Sequence, residues 1–78
     1  MKEKLKALGY RVSTCENSMT GCKDLNDLWI YIFINDGKIK DYAVIGCSPV
    51  RSQSDINNLQ IAYDMLKSDL KELGEWLN

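Results

Sequence analysis

Hydrophobic and polar positions change period twice along the chain. Residues 2–8 are strong helix formers with Leu5 and Leu8 on one side, and Gly9 follows where a left-handed cap would sit, which predicts a short amphipathic helix. Residues 10–15 then alternate as an edge strand does, with Tyr10, Val12 and Thr14 to one side and Arg11, Ser13 and Cys15 to the other. Residues 16–26, rich in Asn, Ser, Thr, Gly and Asp, show no period and are expected to form a long loop, of a length at which loops are often functional. Residues 28–34 carry the strongest strand signal, an unbroken apolar run crowded with aromatic and β-branched types. Asp36-Gly37 suits a type I′ hairpin turn, so residues 39–47 become the returning strand, ended by Ser48-Pro49.

From Ser54 onward the period is helical, with Ile56, Leu59, Tyr63, Leu66, Leu70, Leu73 and Leu77 recurring at steps of three and four. Ser52 or Ser54 can cap this long helix, and Ser52 with Asp55 is a near match to a capping box. Lys71 and Glu75 add an exposed pair worth about 0.3 kcal/mol. Ala62, Met65 and Trp76 widen the apolar stripe, which favours packing on a sheet over a coiled-coil seam. The elements define one α+β domain over residues 1–78 in the order αβββα. A three-stranded antiparallel sheet, with residues 28–34 at its centre, carries a short N-terminal and a long C-terminal helix on one face.

A two-residue turn at Asp36-Gly37 would pair Ile34 with Ile39, Ile32 with Asp41, Ile30 with Ala43 and Leu28 with Ile45. Leu28, Ile30, Ile32, Ile34, Ile39, Ala43 and Ile45 then make an aliphatic face suited to the two helices. The opposite face collects Trp29, Tyr31, Phe33, Tyr42 and Val44, with Lys40 opposite Phe33. Contiguous exposed apolar patches of this kind mark interaction sites. The expected partner-binding residues are Trp29, Tyr31, Phe33 and Tyr42, with Lys40 and Arg11 at the rim and the 16–26 loop beside them. The alternative is a covered core, with one helix on each side of the sheet or the 16–26 loop folded over the aromatic rings.

Bulk composition narrows the chemistry. At 78 residues, 45% hydrophobic and 27% charged with one proline, the chain is that of an ordinary small folded domain. Ten Lys and Arg against eleven Asp and Glu give a net charge of −1, so no global field favours nucleic acid or makes the chain a polyanion mimic. The longest apolar run is too short to cross a bilayer and Met1-Lys2-Glu3-Lys4 leads into no signal-peptide core, so a cytoplasmic protein without membrane association is expected. Cys15, Cys22 and Cys47 are an odd set and read as free thiols, with a Cys15 to Cys22 bridge the alternative if the protein is exported.

The absence of histidine removes the commonest general base and metal ligand. No Cys-x-x-Cys pair starts a zinc site, and Asp24-Leu25-Asn26-Asp27-Leu28 departs from a calcium loop at Leu28 and lacks its glycine and terminal glutamate. Gly21 and Gly46 belong to no phosphate-binding pattern, and nothing near Asp24 and Asp27 suggests the desolvated cleft that acid and base work needs. No catalytic residue, metal or cofactor is assigned, and a non-enzymatic role is expected.

The order of helix, three strands and helix is that of double-stranded RNA-binding domains. Here, however, the second helix opens Ser52-Gln53-Ser54-Asp55-Ile56-Asn57-Asn58, where those domains need a lysine cluster on the phosphates. Lys4-Leu5-Lys6-Ala7-Leu8-Gly9-Tyr10-Arg11-Val12 looks like the start of small toxin ribonucleases, which need the histidine this chain lacks. The arrangement through Leu5, Tyr10-Arg11-Val12, residues 28–34 with Asn35-Asp36-Gly37, and Tyr42-Ala43-Val44-Ile45 also resembles small phage-encoded anti-CRISPR proteins. That resemblance rests on order of elements, and fold order does not establish function. It implies a phage or mobile-element inhibitor that blocks a host defence protein, such as a CRISPR effector, by occupying its surface. The other expectations are a nucleic-acid binder stacking bases on the aromatic residues, with Arg11, Lys38, Lys40 and Arg51 on phosphates, and a structural homodimer.

Overall fold

Three tight turns in succession organise the sheet. The computed structural model describes residues 1–46 and 49–74. Helix α1 (Lys2–Ala7) leads into strands β1 (Arg11–Cys15), β2 (Ser18–Leu25), β3 (Leu28–Asn35) and β4 (Lys38–Gly46), and helix α2 (Gln53–Leu73) follows. The four strands form an antiparallel meander in the order β1-β2-β3-β4. At Asn26-Asp27 both residues have positive φ, 48° and 65°, as do Asp36 and Gly37 at 52° and 76°, the backbone that type I′ hairpins require.

The expected three-stranded sheet is therefore corrected to four strands: residues 16–26 are a turn and a strand, not a loop. Strand β2 hides its period because its helix-facing positions are Met19, Gly21, Lys23 and Leu25, two of which lack an apolar side chain. Gly21 is buried beneath α1, where an added Cβ would stand 3.1 Å from a Leu5 methyl and 3.3 Å from the Tyr10 ring. Lys23 extends to Asp69 on α2.

The second correction is one of register. Ile34 pairs with Ile39 as expected, but Phe33 pairs with Asp41, which leaves Lys40 as an extra residue in a β-bulge. Beyond it every β4 residue changes side: Ile32 lies opposite Tyr42, Ile30 opposite Val44, and Leu28 opposite Gly46. Val44 joins the helix-covered face, while Ala43 and Ile45 turn to the other.

Both helices lie on one face. Leu5, Tyr10, Ile30, Ile32, Ile34, Ile39, Ala62, Leu66, Leu70 and Leu73 form one buried cluster. Helix α2 starts at Ser52, whose hydroxyl accepts from Asp55 N–H at 3.2 Å while the Asp55 carboxylate accepts from Arg51 N–H at 2.9 Å, close to the expected capping box. Gly74, in the left-handed region with φ 68°, caps its C-terminal end. Leu77, Trp76 and Glu75 lie outside the described residues, as does Cys47. The buried stripe of α2 runs through Ala62, Leu66, Asp69, Leu70 and Leu73, whereas Ile56 and Tyr63 of the expected stripe are exposed.

Asp69 is the one buried charged side chain among the described residues. It accepts from the Tyr10 hydroxyl at 2.7 Å and from Lys23 Nζ at 2.9 Å, and Lys23 Nζ also sits 4.4 Å from the centre of the Tyr10 ring. Burial first, then the hydrogen bond to Asp69 and its charge, hold the Tyr10 hydroxyl pKa well above the ordinary value of 10.0. The folded state therefore favours neutral Tyr10. That stability is complete below the ordinary tyrosine value and is lost as pH rises above it. Tyr10→Phe is expected to lower stability by about 2 kcal/mol near neutrality, the worth of a hydrogen bond to a charged group. It should also flatten the decline above about pH 10, read from urea midpoints at neutral and alkaline pH. Equal alkaline slopes for the two proteins would exclude Tyr10 as the responsible group.

Candidate functional site

Alternation along the strands places every second residue on the face away from the helices. Across the sheet these residues fall in rows: Asp24, Trp29 and Ile45; Arg11, Cys22, Tyr31 and Ala43; Ser13, Thr20, Phe33 and Asp41. Trp29, Phe33 and Ile45 are 39%, 36% and 47% exposed, too open for core side chains, while Tyr31 and Ala43 are half-buried. The Tyr31 and Phe33 rings stand parallel within 4°, their centres 6.1 Å apart. With both helices on the opposite face and residues 18–25 built into the sheet, no described element covers these rings.

Polarity is graded across the face. The apolar half lies on β3 and β4. On β1 and β2, Arg11 makes two bonds to the Asp24 carboxylate, at 3.0 and 3.2 Å, and approaches Cys22 Sγ at 3.6 Å. Asp24 holds the guanidinium even more firmly protonated than an ordinary arginine. A hydrogen bond with Cys22 raises the Tyr31 hydroxyl pKa, which couples the central aromatic residue to the polar rim. The pair is largely open to solvent, so it orders the rim more than it stabilises the fold.

Of the expected site residues, Trp29, Tyr31, Phe33 and Arg11 share this face. Tyr42 does not: the bulge turns it to the helix side, beside Leu70 and Lys71. Lys40 is not opposite Phe33, a place taken by Asp41; it lines a shallow depression with Phe33 and Asp41. Ala43 and Ile45 belong to the face and were expected on the other, while Thr20, Cys22 and Asp24, expected beside it in a loop, are part of it as strand residues. The Asn26-Asp27 turn is the sequence signal that would have brought in the three from β2, because Asn and Asp tolerate the left-handed backbone.

A protein-family match would decide what such a face serves. No family model matches the chain, and no curated protein or solved structure is significantly similar to it. The site is therefore read from its own chemistry. Cys15 and Cys22 are free thiols: Cys15 pairs with Ser18 and Cys22 with Arg11, four positions apart on one ladder and so about 13 Å from each other, beyond the reach of a disulfide. Among the described residues no three His, Cys, Asp or Glu side chains gather as a metal site, and no helix is long and apolar enough to cross a membrane. The arrangement offers a flat apolar surface with a self-neutralised polar rim.

Proposed function

We propose that this chain is a non-enzymatic protein-binding module that docks through the outer face of its sheet, with Trp29, Tyr31 and Phe33 as its central contacts. The observation that carries this reading is the contiguous aromatic row on β3, open to solvent on a face that neither helix covers. Aromatic residues and arginine dominate interface energetics, and Arg11 stands at the rim, already oriented by Asp24. The form suggested by the resemblance to anti-CRISPR proteins is occlusion of a defence protein's surface. The fourth strand makes the order αββββα, however, so that form now depends on binding and not on order of elements.

A protein partner suits the face better than single-stranded nucleic acid. A stacking platform needs cations free to follow the phosphates, whereas Arg11 is committed to Asp24, and Asp41 adds a negative charge beside Phe33. Steeply salt-dependent binding of single strands would reverse that preference.

Trp29→Glu combined with Phe33→Glu is the test. Both positions are exposed, so the thermal midpoint is expected to move by only a few degrees, while affinity for a captured bacterial partner or a purified CRISPR effector falls at least about a hundredfold, near 2.7 kcal/mol. Recovery of the same proteins by wild type and variant would sink the proposal. Unfolding of the variant would return the rings to the core.

A further inference from the structure

The outer face of the sheet is complementary to itself. Its middle row, Arg11, Cys22, Tyr31 and Ala43, lies between Asp24, Trp29 and Ile45 on one side and Ser13, Thr20, Phe33 and Asp41 on the other. A two-fold axis along that row, in the plane between two facing sheets, lays β3 over β3 and β4 over β4 of a second copy with strand directions reversed. The apolar half of each sheet then meets the apolar half of the other. Trp29 stands against Phe33 of the second copy, Phe33 against its Trp29, and the two Tyr31 rings meet on the axis. Stacked sheets align with their strands within about 30° because each is twisted, and every copy brings a matching twist.

The charges obey the same symmetry. Arg11 and Asp24 stand in adjacent rows on β1 and β2, and both side chains are largely exposed. The rotation leaves each Arg11 with Asp24 of its own copy on one side and Asp24 of the second copy on the other. Guanidinium and carboxylate groups therefore alternate around the axis. A guanidinium carries five N–H donors, and within the chain three of them engage Asp24 and Cys22, so one Arg11 can serve both carboxylates. Asp41, whose carboxylate accepts from Tyr42 N–H, falls at the exposed corner of β4.

Area sets the strength of such a pairing. Strands about 4.8 Å apart and residues about 3.3 Å apart give the four-stranded face a footprint of roughly 450 Å². Two copies together bury on the order of 900–1,000 Å², at the lower bound of a specific interface and well short of the roughly 2,000 Å² or more of obligate dimers. Pairing of that size is reversible, between monomers that each keep their own core.

Resting on the reading of this face as a docking surface, we infer that a second copy of the chain occupies it when no other partner does, as a two-fold, sheet-on-sheet dimer.

Sedimentation equilibrium of the full chain should show monomer and dimer in exchange, with a dissociation constant of about 10 µM to 1 mM. In a sample mixed from isotope-labelled and unlabelled chains, NMR should show contacts between the Trp29 ring of one copy and the Phe33 ring of the other. Arg11→Asp alone gathers only carboxylates around the axis, and Asp24→Arg alone gathers only guanidinium groups. Each should weaken the dimer at least about tenfold, and the two changes together should restore it to within about threefold. Unchanged thermal midpoints would show that these variants fold, and the inter-copy contact tests the wild-type chain whether they fold or not. A chain that stays monomeric at millimolar concentration would overturn the dimer, leaving the docking of a foreign partner to stand or fall on the Trp29→Glu, Phe33→Glu test. A dimer with its inter-copy contacts on α2 or at the β4 edge would overturn it too, as would one indifferent to the charge reversals.

Discussion

Replacing Asp69 by alanine is expected to lower the stability of this domain by about 3 kcal/mol. The loss follows from what remains behind. The Lys23 side chain is only 15% exposed and the Tyr10 residue 3%, so without the carboxylate an ammonium group and a phenol are left in a mostly apolar site with their shared acceptor gone. In a domain of this size about 3 kcal/mol lowers the melting temperature by roughly 12–24 °C. A small core holds little more than that in reserve, so much of the variant should be unfolded at physiological temperature. Replacing the whole network, with Asp69→Leu, Lys23→Met and Tyr10→Phe together, should recover most of the loss, because apolar residues of similar size substitute well for a buried ion pair. Urea denaturation of the single and triple variants decides the matter. A loss below about 1 kcal/mol for Asp69→Ala would mean that water already solvates the group.

Gly21→Val is expected to cost about 2 kcal/mol, through crowding and not through loss of a contact. At this position even a single added carbon would stand 3.1 Å from Leu5 Cδ2, and valine adds two more. The β-branched side chain fits a strand better than glycine does, which offsets part of the crowding, on a scale spanning about 1 kcal/mol. The substitution should therefore lift α1 from the sheet while leaving the strand ladder in place. Leu5→Ala alone should cost about 2–5 kcal/mol by opening a cavity. Combined, the two changes should cost less than their sum, since valine fills space that leucine vacates. Additive losses in a double-mutant cycle would show that Gly21 and Leu5 do not share that space.

These two positions also explain why β2 was illegible as sequence. The alternation of Met19, Gly21, Lys23 and Leu25 is broken where Leu5 requires the absence of a side chain and where Asp69 supplies a distant carboxylate. Neither partner is a neighbour in the chain. Asp69 misleads in the same way on α2, as a polar residue within the buried stripe. By contrast β3, the Asp36-Gly37 turn, the capping of α2 by Ser52 and the inward side of β1 depend on nearby residues and were readable. The bulge at Lys40 has no local signature, and it alone moved Tyr42 off the aromatic face and brought Ala43 and Ile45 onto it. Trp29, Tyr31 and Phe33 keep the expected side of the sheet because their alternation lies on β3, which has no such slip.

The placement of α2 after the whole sheet affects how the chain is made. While it emerges from the ribosome, four strands joined by two-residue turns can pair early, because each hairpin needs only local closure. Until α2 follows, Ile30, Ile32, Ile34 and Ile39 are as exposed as the aromatic row behind them, and the nascent sheet presents two sticky sides. Synthesis rate and chaperone supply should therefore govern yield more than the stability of the finished fold does.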